Sequence, residues 1–248
     1  MGILSKKEYI EYTNYMKSVR LPRFTFPQGY KVRMFEAFSG IGCQAMALKA
    51  LTDNYELVGF SEIDQHAIKS YKAIHGNVPN YGDITKMETI PECDIFTYSF
   101  PCTDLSLAGK REGMGNGTRS GLVYEVLRLL KGTSKKPTVL IMENVPALLD
   151  QVFIDEFMGI QSELKELGYT NYAKVLEATN YGIPQHRDRV FMVSILGDYS
   201  FTFYDGFKLE MRLKDLCEDE VDKKYFLTDR MLRFFTYNAE KQKKKGGF

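Results

Sequence analysis

The chain has 248 residues, 44% of them hydrophobic, enough to bury the core of one sizeable domain with a small appendage. Its formal charge of +1 and pI of about 7.6 do not advertise a nucleic-acid binder as a whole, so local charge must carry any such argument. Four dispersed cysteines (Cys43, Cys93, Cys102, Cys217) without C-x-x-C spacing, no apolar run near 18 residues and no signal peptide point to a reduced, cytoplasmic, soluble protein. Neither a disulfide framework nor a metal site is expected.

Residues 1–30 form a basic extension. Through residue 33 they carry seven Lys/Arg against Glu8 and Glu11, a local net of +5, interleaved with Tyr9, Tyr12 and Tyr15. That suits a phosphate backbone, and it suits a solvated amphipathic helix equally well. From about residue 31 to 196, short apolar runs alternate with helical patterns, the signature of repeated βα units and a mostly parallel α/β sheet. Strands are predicted over 31–38, 56–63, 93–100, 138–145, 169–178 and 189–195, with a weaker one before Asp83. Helices are predicted over 43–51, 64–75, 121–130 and 154–167; in the third, Leu122, Val126, Leu129 and Leu130 recur at helical spacing.

In chain order, Phe38-Ser-Gly-Ile-Gly-Cys43 follows the first strand and opens a helix. Small residues there let the backbone turn tightly and approach a ligand at the helix N-terminus. Glu62 ends the second strand, 22 residues after Gly40, where an acid can bond ribose hydroxyls. Asp83, in Gly82-Asp-Ile-Thr85, sits where it could accept from an adenine amino group. Taken singly, each acid is explained as well by helix capping; the ordered combination is not. A Rossmann dehydrogenase shares this layout but has no need of the motifs downstream.

Pro101-Cys102 puts a thiol where the third strand gives way to a loop, the position open α/β sheets use for chemistry. A lone cysteine is ordinarily just buried. The segment from Gly109 to Gly121 then packs five glycines into thirteen residues with Lys110, Arg111 and Arg119, so it can swing more easily than it can hold regular structure. Glu143, in Met142-Glu-Asn-Val145, ends an apolar strand, where burial is expected to raise its pKa, and Asn144 is expected to hold local backbone. In Gln185-His-Arg-Asp-Arg189, two arginines at i and i+2 on an extended segment are expected to share a face, with His186 turned away as a structural residue.

These motifs, in this order, resemble the DNA (cytosine-5)-methyltransferase family over residues 33–196. The resemblance implies a Rossmann-like, S-adenosylmethionine-dependent methyltransferase fold. It implies cofactor contacts from Phe38, Ser39, Gly40, Ile41, Gly42, Glu62, Ile63, Asp83, Ile84 and Pro101. Cys102 would attack C6 of a flipped cytosine, Glu143 would engage N3, Arg189 the base oxygen, and Arg187 the active-site loop. Ser106, Lys110, Arg111 and Arg119 would contact double-stranded DNA from that loop. Glu36 and Cys43 depart mildly from the family's usual aspartate and glycine.

Residues 31–200 are thus expected to be the catalytic domain. Residues 201–248, with a helix near 228–237 and a basic, glycine-ended tail, are expected to be a segment and linker toward an absent target-recognition domain. Three readings stay open at this point: an active DNA methyltransferase with a second polypeptide supplying recognition, a non-catalytic remnant, and a related enzyme acting on tRNA cytosine.

Overall fold

A computed structural model describes residues 29–102, 120–206 and 209–244, with side chains through 238. Six strands form one sheet: β1 (Val32–Ala37), β2 (Tyr55–Ser61), β3 (Ile95–Tyr98), β4 (Val139–Asn144), β5 (Tyr169–Glu177) and β6 (Asp188–Leu196). Their spatial order is β2-β1-β3-β4-β6-β5. β1 pairs in parallel with β2 and β3, and β3 with β4, whereas β6 runs antiparallel to both β4 and β5.

Alternate residues of β1 point to opposite faces, and both faces are covered. Met34 packs with Leu48 of helix α1 (Cys43–Leu51), while Phe35 joins a core with Val126 and Leu130 of α3 (Val123–Gly132) and Phe157 and Leu164 of α4 (Ile154–Glu166). Helix α2 (Gln65–His75) buries Tyr71 against Phe60, with ring centroids 3.9 Å apart. Leu127, Leu129 and Leu130 of α3 are all buried, and each fully buried leucine contributes roughly 1.5–3 kcal/mol.

The weak strand expected before Asp83 is only an isolated bridge between Phe60 and Asn80. Pro79 has no N–H to donate, and the contact stops at two bonds, Phe60 N–H to Pro79 O and Tyr81 N–H to Phe60 O. A short 3-10 turn, Ser120–Leu122, precedes α3, which moves the helix start later than periodicity suggested. The C-terminal helix α5 (Asp229–Lys244) is longer than expected and leaves Met231, Leu232, Phe234 and Phe235 exposed. No described helix is long and apolar enough to cross a membrane.

Two features of topology place chemistry at one end of the sheet. After β1 the chain goes to one side to form β2, then returns to the other side of β1 to form β3, so a crevice opens beyond the carboxyl ends of β1 and β3. Because β6 is reversed, its first residues lie beside the carboxyl end of β4, with Asn144 opposite Val190 and Glu143 opposite Phe191.

Candidate active site

The glycine loop after β1 is built from left-handed residues. Gly40 and Gly42 have φ of 55° and 82°, and Phe38, the one described non-glycine with positive φ, has 55°. A left-handed side-chain-bearing residue costs roughly 1–2 kcal/mol, so its surroundings must hold Phe38 there. A brace stands behind the loop. Glu36, 1% exposed on β1, accepts from the Ala45 amide at 3.1 Å and from the Tyr71 hydroxyl at 2.6 Å. Burial pushes the Glu36 carboxyl up, and burial with the neighbouring Glu36 charge does the same to the Tyr71 hydroxyl. His75, its ring 4.5 Å from that of Tyr71, donates from Nε2 to the Ile41 carbonyl at 3.1 Å. Burial and then Lys49 depress His75 to about 4, so it is neutral at physiological pH, and an Nε2–H tautomer suits a carbonyl acceptor.

This brace predicts opposite consequences for the two glycines. A Cβ on Gly42 would lie 2.4 Å from His75 Nε2 and 2.7 Å from Tyr71, whereas one on Gly40 would meet nothing within 4 Å. Gly42→Ala is therefore expected to lower the melting temperature markedly. Gly40→Ala should cost about 1 kcal/mol of backbone strain and place a methyl in the open space over the loop. Thermal melts beside calorimetric titration with S-adenosylmethionine separate the two effects; equal destabilisation would mean that the brace has been misread.

Glu62 ties this loop to β2. Its Oε2 accepts from the Gly40 amide at 2.9 Å, and its Oε1 from the amides of Ile63 and Asp64 at 2.8 and 2.9 Å. Three of roughly four lone-pair sites are thus engaged with backbone, leaving one on Oε2. Asp83 uses Oδ1 for both the Thr85 amide (3.0 Å) and the Thr85 hydroxyl (2.8 Å), bonds that hold its carboxyl below the usual range and leave Oδ2 out. Ile63 is 70% exposed, but Ile84 is only 3% exposed. The Ile84 side chain is committed to the core, so only its backbone is available to a ligand. Ser39 Oγ is buried with no partner among the described residues. The open space over Gly40, the orphaned Ser39 hydroxyl and the spare oxygen of Asp83 fit an amino-acid-bearing nucleoside such as S-adenosylmethionine.

Across the crevice, residues 99–101 are pinned from three sides. Gln44 Nε2 donates to Ser99 Oγ at 3.0 Å, Asn144 Nδ2 to Phe100 O at 3.1 Å, and Ser120 Oγ to Pro101 O at 2.8 Å. Asn144 also accepts from the Val145 amide, so it holds local backbone as its position suggested. Cys102 follows as a half-buried free thiol. Ser106, Lys110, Arg111 and Arg119 lie outside the described residues, as does the extension through residue 28.

Glu143 does not sit in the apolar pocket that its strand suggested. Its Oε1 is 2.9 Å from Arg189 Nε, and the two side chains are 23% and 22% exposed. The reversed β6 makes this pairing possible. Arg187 is exposed, yet its charge and that of Glu143 both reach the Cys43 thiol at the start of α1, which partial burial and then Glu36 push up most. His186 is turned out to solvent, its Nδ1 3.6 Å from Glu177 Oε1. Sequence reasoning missed the Glu143–Arg189 pair and the Glu36–Tyr71–His75 brace; an acid inside an otherwise apolar strand was the one available signal for the latter.

Residues 32–248 match the profile of the C-5 cytosine-specific DNA methylases. The type II methyltransferase M2.ScrFI of Lactococcus lactis subsp. cremoris is 33% identical over 81% of this chain and 71% of its own length. The type II methyltransferase M.SsoII of Shigella sonnei is 35% identical over 85% of this chain and 56% of its own. Among solved structures, the Dnmt2 methyltransferase of S. pombe superposes with a TM-score of 0.67 at 20% identity, over 84% of this chain and 66% of that one. The methyltransferase EhMeth of Entamoeba histolytica gives 0.66 at 20% identity, over 80% and 63%. At that identity the solved structures speak to the fold, a methyltransferase sheet flanked by helices, and the chain spans 44–71% of the length of the curated relatives it matches. On the sequence match, the chain belongs to the C-5 cytosine-specific DNA methylase family.

Proposed function

We propose that this chain carries the catalytic centre of a DNA (cytosine-5)-methyltransferase that uses S-adenosylmethionine. The observation that supports it most is the convergence, at one end of the sheet, of the pinned Pro101-Cys102 loop, the Glu143–Arg189 pair and the glycine loop held by Glu62. Phe38 to Gly42, Glu62, Ile63, Asp83, the Ile84 backbone and Pro101 would hold the cofactor. When bound, S-adenosylmethionine supplies an electrophilic methyl group.

The protein's own part is to make cytosine C5 nucleophilic. A base inside a duplex hides its C6 face, so the target must be extruded, which we assign to the loop bearing Ser106, Lys110, Arg111 and Arg119. The Cys102 thiolate adds to C6, forming an S–C6 bond and moving an electron pair toward C5. Glu143, oriented by Arg189 through Oε1, carries a proton on Oε2 when the base is bound, donates it to N3 where charge builds as sulfur attacks, and takes it back when the S–C6 bond breaks. After C5 has gained its methyl group, it loses its proton to solvent, the C5–C6 double bond re-forms and the S–C6 bond breaks, returning the thiolate. Sequence selectivity we assign to residues outside 31–200 or to a second polypeptide. The setting we propose is the cytoplasm of a bacterium, in restriction-modification or phage self-protection.

Incubation with tritiated S-adenosylmethionine and mixed-sequence duplex DNA should put label into 5-methylcytosine. A parallel arm with tRNA should stay unlabelled. Label in tRNA alone would move the chain to the RNA enzymes, and no transfer to either, in a sample that binds cofactor, would favour the non-catalytic remnant.

A further inference from the structure

Arg187 lies one residue before the β5–β6 ladder begins, yet both of its backbone groups are held. Glu177, the last residue of β5 and the partner of Asp188 across the hairpin, accepts from the Arg187 amide through Oε1 at 3.1 Å. The same oxygen takes the Thr179 hydroxyl at 3.1 Å and the Thr179 amide at 3.4 Å, and the Ala178 amide donates to the Arg187 carbonyl at 3.1 Å. A glutamate that only capped the 178–180 turn would need the Thr179 bonds and nothing from Arg187. The reach to Arg187 joins the start of the turn to its end, ten residues on, closing the loop that delivers the two arginines to the crevice.

We propose that Glu177 is a positioning residue of the methyl-transfer site, whose Oε1 fixes the main chain of Arg187 and thereby the direction in which the Arg187 side chain projects. The proposal rests on the reading of these arginines as parts of that site. The surroundings favour Glu177 as a lasting acceptor. Contact with Asp188, and then the amides of Arg187 and Thr179, hold its carboxyl down to about 2, while contact with Glu177 raises Asp188. His186, 3.6 Å away, adds positive charge when protonated.

Glutamine keeps the acceptor oxygen and alanine removes it, so the two variants separate the bond from the charge. In the full chain, amide hydrogen exchange at Arg187 should quicken roughly tenfold or more in Glu177→Ala, the worth of a lost bond to a charged acceptor, and change less than about threefold in Glu177→Gln. The interior amides of β5 and β6 should be unchanged in both. Methyl transfer to DNA should fall about tenfold in Glu177→Ala at constant cofactor affinity, and the loss should vanish in an Arg187→Ala background, because residues acting through one another are not additive. Unaltered Arg187 exchange in Glu177→Ala, equal damage from glutamine, or additive losses would each overturn the proposal. If the unsubstituted chain methylates no DNA, the functional reading fails by itself, while the exchange measurement still decides whether Glu177 holds Arg187.

Discussion

Cys102→Ser is expected to abolish the denaturation-resistant complex that the chain should form with duplex DNA containing 5-fluorocytosine, and to lower methyl transfer on the order of 10⁴-fold or more, the scale seen when a covalent nucleophile is removed. Fluorine at C5 cannot leave as a proton, so the step that would release the sulfur is blocked and the adduct persists. Serine preserves the shape of the site but offers a hydroxyl far weaker than a thiolate as a nucleophile. Cys43 provides the internal control. It opens α1 and lies within electrical reach of Glu143 and Arg187, yet partial burial and two carboxylates push its thiol up, so it holds little thiolate near neutral pH. Cys43→Ser should therefore trap DNA as the parent chain does. A complex that survives in Cys102→Ser and disappears in Cys43→Ser would reverse the assignment.

Much of the fold was legible because the central strands, buried on both faces, leave continuous apolar runs, and each of the six predicted runs overlaps a strand of the sheet. The direction of β6 was also readable in principle. The ten residues between β5 and β6 are too few for a helix-bearing crossover, which parallel neighbours require. The failures have physical causes of other kinds. Asp83 was read as the tip of a strand, but Pro79 beside Asn80 limits the contact with β2 to a single bridge. Ile84 is expected from the motif to contact the cofactor, but its side chain points into the core from the short turn that Asp83 caps, which leaves its backbone for that role. Glu143 was read as a carboxyl among apolar neighbours, because strand context is local and its partner Arg189 is 46 residues away. Which of several arginines meets a given acid is decided by sheet register, and nothing in linear spacing encodes it. The left-handed φ of Phe38 is similarly silent in sequence, and so is the brace behind the loop, whose members Glu36, Tyr71 and His75 come from β1 and α2.

The Glu143–Arg189 pair sets the second large effect. Glu143→Gln should lower the methyl-transfer rate by roughly 10²–10⁴-fold, the usual contribution of a positioned acid, with cofactor affinity nearly intact because the groups read as cofactor ligands lie in the segments that follow β1, β2 and β3, none of them on β4. Glutamine keeps an acceptor oxygen for Arg189 Nε but has no acidic proton to give to N3. Arg189→Lys should be nearly as damaging as Arg189→Ala: the contact is made by Nε of a planar guanidinium, and a lysine point charge cannot orient the carboxylate in the same way. If arginine acts by orienting the acid, a double-mutant cycle will be strongly non-additive, with Arg189→Ala costing little once Glu143 is already glutamine. Independent losses would instead mean that Arg189 contacts the base on its own account, the role that the family resemblance implies. The cycle thus separates two roles for one arginine. It does so at constant cofactor affinity and without requiring knowledge of the recognition sequence, since base readout in the grooves depends on other contacts. Should Glu143→Gln transfer methyl groups at the parental rate, the carboxyl has no part in activating cytosine, and the pair is simply a strand-end ion pair.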